Sequence, residues 1–374
     1  MITPRENLLR ILRHERPDWI PLVGHVDPYN QPNQRGMDPA LAEALREVRW
    51  CDESTVIFSR YLGLDIMDLF GAPLRCESRR VTVHSETQDN VCVTTWNTRA
   101  GALRQVTRFS PGTGLWYTQE HMVKGKADLG ALAEVFADQE WEIDPEGAAG
   151  LRRRRELIGD DGLITMSLPG TPLGQMVRVH SGVETLAYLW ADARAELHDL
   201  FAVMADNHEQ QFRLAASLAE PEALVTMDDT STTTQSPAMF AEYCLDYTDR
   251  LADLCHAAGK FYLHHSCGLI RDLLPLYRQT RMDAVHGFSY PPLGDVSIAE
   301  GKAALGPGVA ILTGVAQLFG DMRDREKVRA SLETMFAEAG EDNVAFWVVP
   351  DPEKDMEETG WVGEECRRLS RKGN

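Results

Sequence analysis

The chain has 374 residues, of which 43% are hydrophobic and 25% charged. That length and apolar content suit one large α/β domain or two small ones, and they exclude wholesale disorder. A formal net charge of −19 argues against nucleic acid or an anionic membrane surface as a partner.

The opening stretch "MITPRENLLRILRHERPDW" is polar and helical. It has no apolar core followed by small residues, so it does not read as a signal peptide. No apolar run reaches the length of a transmembrane helix. The seven cysteines are scattered and odd in number, as in a cytoplasmic protein with reduced thiols. Thr3 is placed to cap the first helix, with Pro4 at its first position and Glu6 at its third, and the helix is expected to run to about Arg13.

"RPDWIPLVG" predicts a turn into a short strand, and residues 25–37 a long loop containing His25 and Asp27. Residues 38–70 read as helical, closing on "LGLDIMDLF". The texture then changes. Residues 75–124 alternate in short segments separated by turn residues, and they predict a small inserted antiparallel β-meander. Trp96, Trp116 and Tyr117 are read as packing residues of that sheet.

From about residue 126 helix and strand alternate. "LITMSLPG", "EALVTMDD", "KFYLHH", "MDAVHGF", "VAILTGV" and "VAFWVVP" predict strands, and one helix is expected from Ser236–Pro237 to Gly259. Repeated strand–helix units of this size predict a parallel sheet, and their number favours a single (β/α)8 TIM barrel over residues 1–374. In such a barrel the chemistry sits at the carboxyl ends of the strands.

Those ends hold His25; Asp228 and Asp229; His264, His265 and Cys267; His286; and Asp351. His265 and Cys267 stand two residues apart and so face the same side of an extended chain. They could share one metal ion, since zinc accepts imidazole and thiolate at about 2.0–2.3 Å. A buried thiol beside a hydrogen-bonded histidine is the plainer alternative. His264 faces the other way and is read as a core or supporting residue. Two adjacent acids cannot both face one point, so at most one of Asp228 and Asp229 reaches the barrel mouth. Its roles there would be metal ligand, histidine anchor or general base, against a helix or turn cap. His25, Asp228, His286 and Tyr290 are candidate substrate-binding positions, with loop exposure or core packing as the alternative for each.

Taken together, these segments resemble the uroporphyrinogen decarboxylase superfamily, and particularly its corrinoid-linked methyltransferase branch of the O-demethylase type. The resemblance rests on "TPRENLLRILRHERPDWIPL", "PGTPLGQMVRVHSGVETLAYLWAD", the "DD" and "SPAMF" of residues 228–240, "HHSCGLIRDLLPLY" and "MDAVHGFSYPPLGDVSIAEGKAALGPGVAILTGV". It covers nearly the whole chain and is weakest at the meander. It implies a TIM barrel, and zinc held by His265 and Cys267. In that branch a second cysteine usually follows the last strand, whereas here "AFWVVPDPEKD" places Asp351 near that position. Asp351 is therefore the expected third metal ligand, with Asp229 or Cys366 as alternatives. The arginine cluster with which the decarboxylase itself grips porphyrin carboxylates is missing from "VGHVDPYNQPNQRGM", so porphyrin decarboxylation is set aside.

The resemblance implies methyl transfer between a small methoxylated substrate, with an aromatic one as an option, and the cobalt of a corrinoid (cobalamin-type) protein, with Asp229, His265 and Cys267 at the reacting centre. Tetrahydrofolate or a thiol is an alternative acceptor. A metal-free decarboxylase of a small acid and a non-enzymatic binding barrel are the competing readings. A homodimer is one option for the assembly.

Overall fold

The computed structural model describes residues 2–26, 35–47, 53–111, 114–315, 324–350 and 355–371. Eight parallel strands close a barrel. They are β1 (Leu22–Gly24), β2 (Asp65–Gly71), β9 (Gly162–Pro169), β10 (Ala223–Met227), β11 (Phe261–His265), β12 (Ala284–Phe288), β13 (Ala310–Gly314) and β14 (Val344–Val348). Between β2 and β9 the chain leaves the barrel through β3 (Leu74–Ser78), β4 (Thr82–Gln88), β5 (Val91–Asn97), β6 (Ala102–Ser110), β7 (Leu115–Glu120) and β8 (Gln139–Ile143). Strands β4 to β7 form the expected antiparallel meander, while β8 returns to pair with β3. Trp96 packs partly against the core, whereas Trp116 and Tyr117 are largely exposed, Trp116 lying against the Phe109 ring.

The first helix spans Pro4–Leu12, and the Thr3 hydroxyl accepts from the Glu6 amide at 3.2 Å. Its Leu8, Leu9, Ile11 and Leu12 join the barrel-interior cluster of Val23, Met67, Leu163, Val225, Leu263 and Leu312. This helix therefore plugs the barrel at its amino end and leaves the other end for chemistry. A second, larger cluster lies between the strands and the surrounding helices and includes Ile66, Ile164, Leu224, Tyr262, Val285 and Phe346. Successive residues of each strand alternate between these two clusters, as a period of two requires.

Two expectations need correcting. "LGLDIMDLF" does not close a helix. The preceding helix, Ser54–Leu62, ends at Gly63 in the left-handed conformation with φ 63°, and Asp65–Gly71 is a barrel strand. Met67 faces the interior while Ile66 and Asp68 face the helices. A strand buried on both faces reads as a continuous apolar run, which period alone does not separate from a helix. The expected helix from Ser236–Pro237 is divided into Pro237–Tyr243 and Leu245–Ala257. Cys244, at the junction, turns its thiol onto the Thr171 hydroxyl at 3.6 Å. No described helix is long and apolar enough to cross a membrane.

Candidate metal and active site

Strand parity decides which side chains reach the mouth. The interior series run Val23 to His25, Val225 to Met227, Leu263 to His265, Ala284 to His286 and Ala345 to Trp347. Each series ends in a polar or bulky residue at the carboxyl end of its strand. His25 and Trp347 stack with ring centroids 5.6 Å apart, and His286 meets Trp347 edge-on at 4.4 Å.

His265 and His286 are register partners on neighbouring strands. Their Nδ1 atoms lie 2.8 Å apart. One nitrogen must donate and the other accept. Burial, with the neighbouring His265 and His25 charges, holds His286 well below the usual imidazole range, so it is neutral. With the proton on His265 Nδ1 the Nε2 lone pair would be free to meet a cation, and with it on His286 Nδ1 the His265 Nε2–H would face a carboxylate. That Nε2 lies 3.5 Å from Asp229 Oδ1.

Cys267 completes the group. Its Sγ is 3.6 Å from the same Asp229 oxygen. One donor atom each from Asp229, His265 and Cys267 lies within 4.8 Å of the other two, and this is the one such group among the described residues. The set offers nitrogen, sulfur and oxygen to one point. That matches zinc's borderline character and leaves a fourth position open. Burial first, then the Asp229 charge, pushes the Cys267 thiol up to about 12. Binding a cation there would require that proton to leave, and metal uptake should therefore weaken as pH falls. The neighbouring His265 ring, when its Nε2–H faces the carboxylate, and the positive charge of Arg178 hold the Asp229 carboxyl below the usual range, against the opposing effect of burial.

The other predicted residues go elsewhere. Asp228 belongs to the outward series and is fully buried. The Thr171 amide and hydroxyl donate to its Oδ2 at 3.0 and 2.6 Å. It thus ties the end of β10 to the turn after β9, and burial pushes its carboxyl up to about 6. His264 also faces outward, between the Thr226 and Thr230 hydroxyls at 3.0 and 2.9 Å, and contacts Phe240 and Tyr277. Tyr290 packs against the outer cluster, with its hydroxyl 3.5 Å from Glu338. Cys366 is buried in the outer layer on the helix Met356–Ser370 and does not belong to the metal-capable group. That helix packs outside the barrel. Asp351 and Asp27 lie outside the described residues.

Sequence reasoning missed Arg178. Its Nε lies 2.8 Å from Asp229 Oδ2, and its Nη1 donates to the Met227 carbonyl. Arg178 sits in a π-helical turn, Met176–His180, continuing the short helix Pro172–Gln175. Such turns recur at functional sites, but they carry no periodic signal by which a sequence would reveal them.

Two outcomes follow from this geometry. His286→Leu removes the ring-nitrogen partner that orients His265, and zinc affinity should fall roughly 10–100-fold with the fold retained; competition with a chromogenic chelator measures it. Unchanged affinity would show that His286 does not orient the ligand. Gly287 has φ 88°, and a Cβ there would lie 2.6 Å from His265 Cε1. Gly287→Ala should therefore destabilise the fold by about 1–3 kcal/mol and lower zinc affinity as well, read by urea unfolding and the same competition.

The uroporphyrinogen decarboxylase (URO-D) family model matches residues 163–341. A methyltransferase from Methanosarcina mazei shares the fold, with a TM-score of 0.65 over 99% of this chain and 99% of that one, at 12% identity. The putative vitamin-B12-independent methionine synthase from Listeria monocytogenes gives a TM-score of 0.42 at 12% identity, covering 92% of this chain and 98% of that one. D-psicose 3-epimerase from Clostridium cellulolyticum gives 0.37 at 9% identity, covering 60% and 83%. Comparison with curated proteins finds no match. The matched stretch spans β10 to β13 and contains Asp229, His265, Cys267 and Arg178.

Proposed function

We propose that the chain is a zinc-dependent methyltransferase that moves a methyl group between a small methoxylated substrate and a corrinoid protein. The observation that carries this reading is the convergence of Asp229, His265 and Cys267 on one point at the barrel mouth. The URO-D family match and the fold shared with a methyltransferase support an enzyme of methyltransferase-like or decarboxylase-like type. The donor set favours the methyltransferase, because a metal-free decarboxylation has no use for a thiol beside a histidine and a carboxylate.

His265 Nε2, Cys267 Sγ and an Asp229 oxygen would hold the ion. When bound, zinc supplies Lewis acidity toward an ether oxygen, or toward a thiol acceptor. The protein's own groups do the rest. His286 holds the His265 ring through its Nδ1. Arg178 holds the second Asp229 oxygen and so fixes the carboxylate's orientation. Met227 and Trp347 form apolar walls at the top of the interior series, which restricts water near the reacting atoms.

The test is a transfer assay with zinc-loaded protein, a panel of methoxylated aromatic compounds and a reduced corrinoid acceptor, followed by cobalt–methyl absorbance. Transfer that disappears in Cys267→Ala supports the reading. Transfer that persists in that variant, or no transfer from any methoxylated compound to corrinoid, sinks it. Methyl transfer from methylcobalamin to tetrahydrofolate or a thiol, in place of the first reaction, would identify the acceptor-side alternative.

A further inference from the structure

Arg178 has donors to spare. A guanidinium carries five N–H groups in a planar fork. Nε lies 2.8 Å from Asp229 Oδ2 as an ion pair, and Nη1 donates to the Met227 carbonyl. Among the described residues nothing accepts from Nη2, and the side chain is 38% exposed. An arginine anchored through Nε and Nη1, with Nη2 unpartnered among the described residues and the side chain partly exposed, is a preformed receptor for a carboxylate.

Its position matters as much as its valence. Met227 ends β10, and Asp229 lies two residues beyond it. Both anchors therefore fix Arg178 at the barrel mouth beside the metal-capable group. The ordinary role for such an arginine is to neutralise Asp229. That role uses one side of the fork, and a lysine would fill it equally well. The carbonyl bond from Nη1 stiffens the fork further, so less freedom remains to be lost when a ligand binds.

From this we infer that Arg178 is the substrate-recognition residue of the site and that the substrate carries a carboxylate, which binds the open Nη edge of its guanidinium. The inference rests on the barrel mouth being the substrate site. It does not depend on whether the reaction is methyl transfer or decarboxylation. A molecule gripped there would lie with its uncharged part toward the group formed by Asp229, His265 and Cys267.

The experiment is calorimetric binding of two isosteric pairs, 4-methoxybenzoate with 4-methoxybenzamide and benzoate with benzamide, to zinc-loaded protein. Wild type, Arg178→Met and Arg178→Lys are compared, and zinc content is measured in each. The expected result is that each acid binds wild type at least about 10-fold more tightly than its amide, as a charge-assisted bidentate pair should. The preference should vanish in Arg178→Met and shrink in Arg178→Lys. A purely structural arginine would weaken acid and amide together and leave their ratio unchanged. Equal binding of acid and amide to wild type overturns the inference. So does a preference that survives Arg178→Met, or no acid binding at millimolar concentration. Should Arg178→Met lose its zinc or its fold, the ratio in Arg178→Lys decides. Acid preference without methyl transfer would sink the methyltransferase reading alone, and methyl transfer without acid preference would sink this inference alone.

Discussion

Zinc reconstitution of the wild-type protein is expected to give about one ion per chain, and both Cys267→Ala and His265→Ala should lose it. Two of three donors cannot retain a tetrahedral ion against solvent. Removing a ligand should exceed the roughly 10–100-fold cost of removing a supporting group such as His286. Neither variant should unfold. Cys267 and His265 lie beyond the plugged barrel interior and are only partly buried, and the hydrophobic clusters that hold the barrel do not include them. Elemental analysis and circular dichroism of the three proteins measure both claims. Asp229→Asn tests the third donor, because an amide keeps the shape but loses the charge. Zinc retained at wild-type affinity in Asp229→Asn would remove Asp229 from the ligand set. Absence of zinc from the reconstituted wild type would remove the Lewis-acid mechanism with it.

The largest stability effect is expected at a different pair. Asp68 on β2 points away from the barrel interior to Arg154 on the helix Pro145–Ile158, with Nη1 at 3.3 and 3.1 Å from its two oxygens. Both side chains are almost completely buried. Burial pushes the Asp68 carboxyl up to about 6, against the opposing pull of Arg154. Arg154→Met keeps much of the aliphatic packing over the Phe70 ring, which the guanidinium carbon now approaches at 5.8 Å, but it strands the carboxylate. Breaking such a pair costs about 3–5 kcal/mol.

The pH dependence has a definite sign. With Arg154 gone, the folded-state pKa of Asp68 rises further above its unfolded value. A group with a raised carboxyl pKa favours the folded state at low pH, and that contribution is lost as pH rises from the unfolded pKa through the folded one. The damage done by Arg154→Met should therefore be smallest near pH 4 and largest at neutral pH. Adding Asp68→Asn should recover much of the loss, because no charge is then left buried. Urea unfolding at several pH values checks all three statements. A loss independent of pH would show that Arg154 acts by packing alone.

Much of this protein was legible without coordinates, and the reasons are local. Alternating strand and helix patterns predicted the closed parallel barrel, and a change of texture after about residue 74 predicted the antiparallel insertion. Parity within single strands separated His265 from His264 and limited the aspartate pair to one candidate, because side chains two apart in an extended chain share a face whatever surrounds them. Asp65–Gly71 escaped that logic because it is buried on both faces and shows no alternation.

Tertiary structure decided what depends on neighbours across strands. The sequence left Asp351, Asp229 and Cys366 as candidates for the third donor. Barrel closure and register bring Asp229 within reach of His265 and Cys267, while Cys366 is carried by a helix outside the barrel. The pairing of His265 with His286 follows from the register of β11 on β12. Arg178 reaches the site through a π-helical turn that no periodicity announces. A short motif fixes which way a side chain points from its own strand. Which other side chain it meets is set by the order, register and closure of eight strands, and those are properties of the whole barrel.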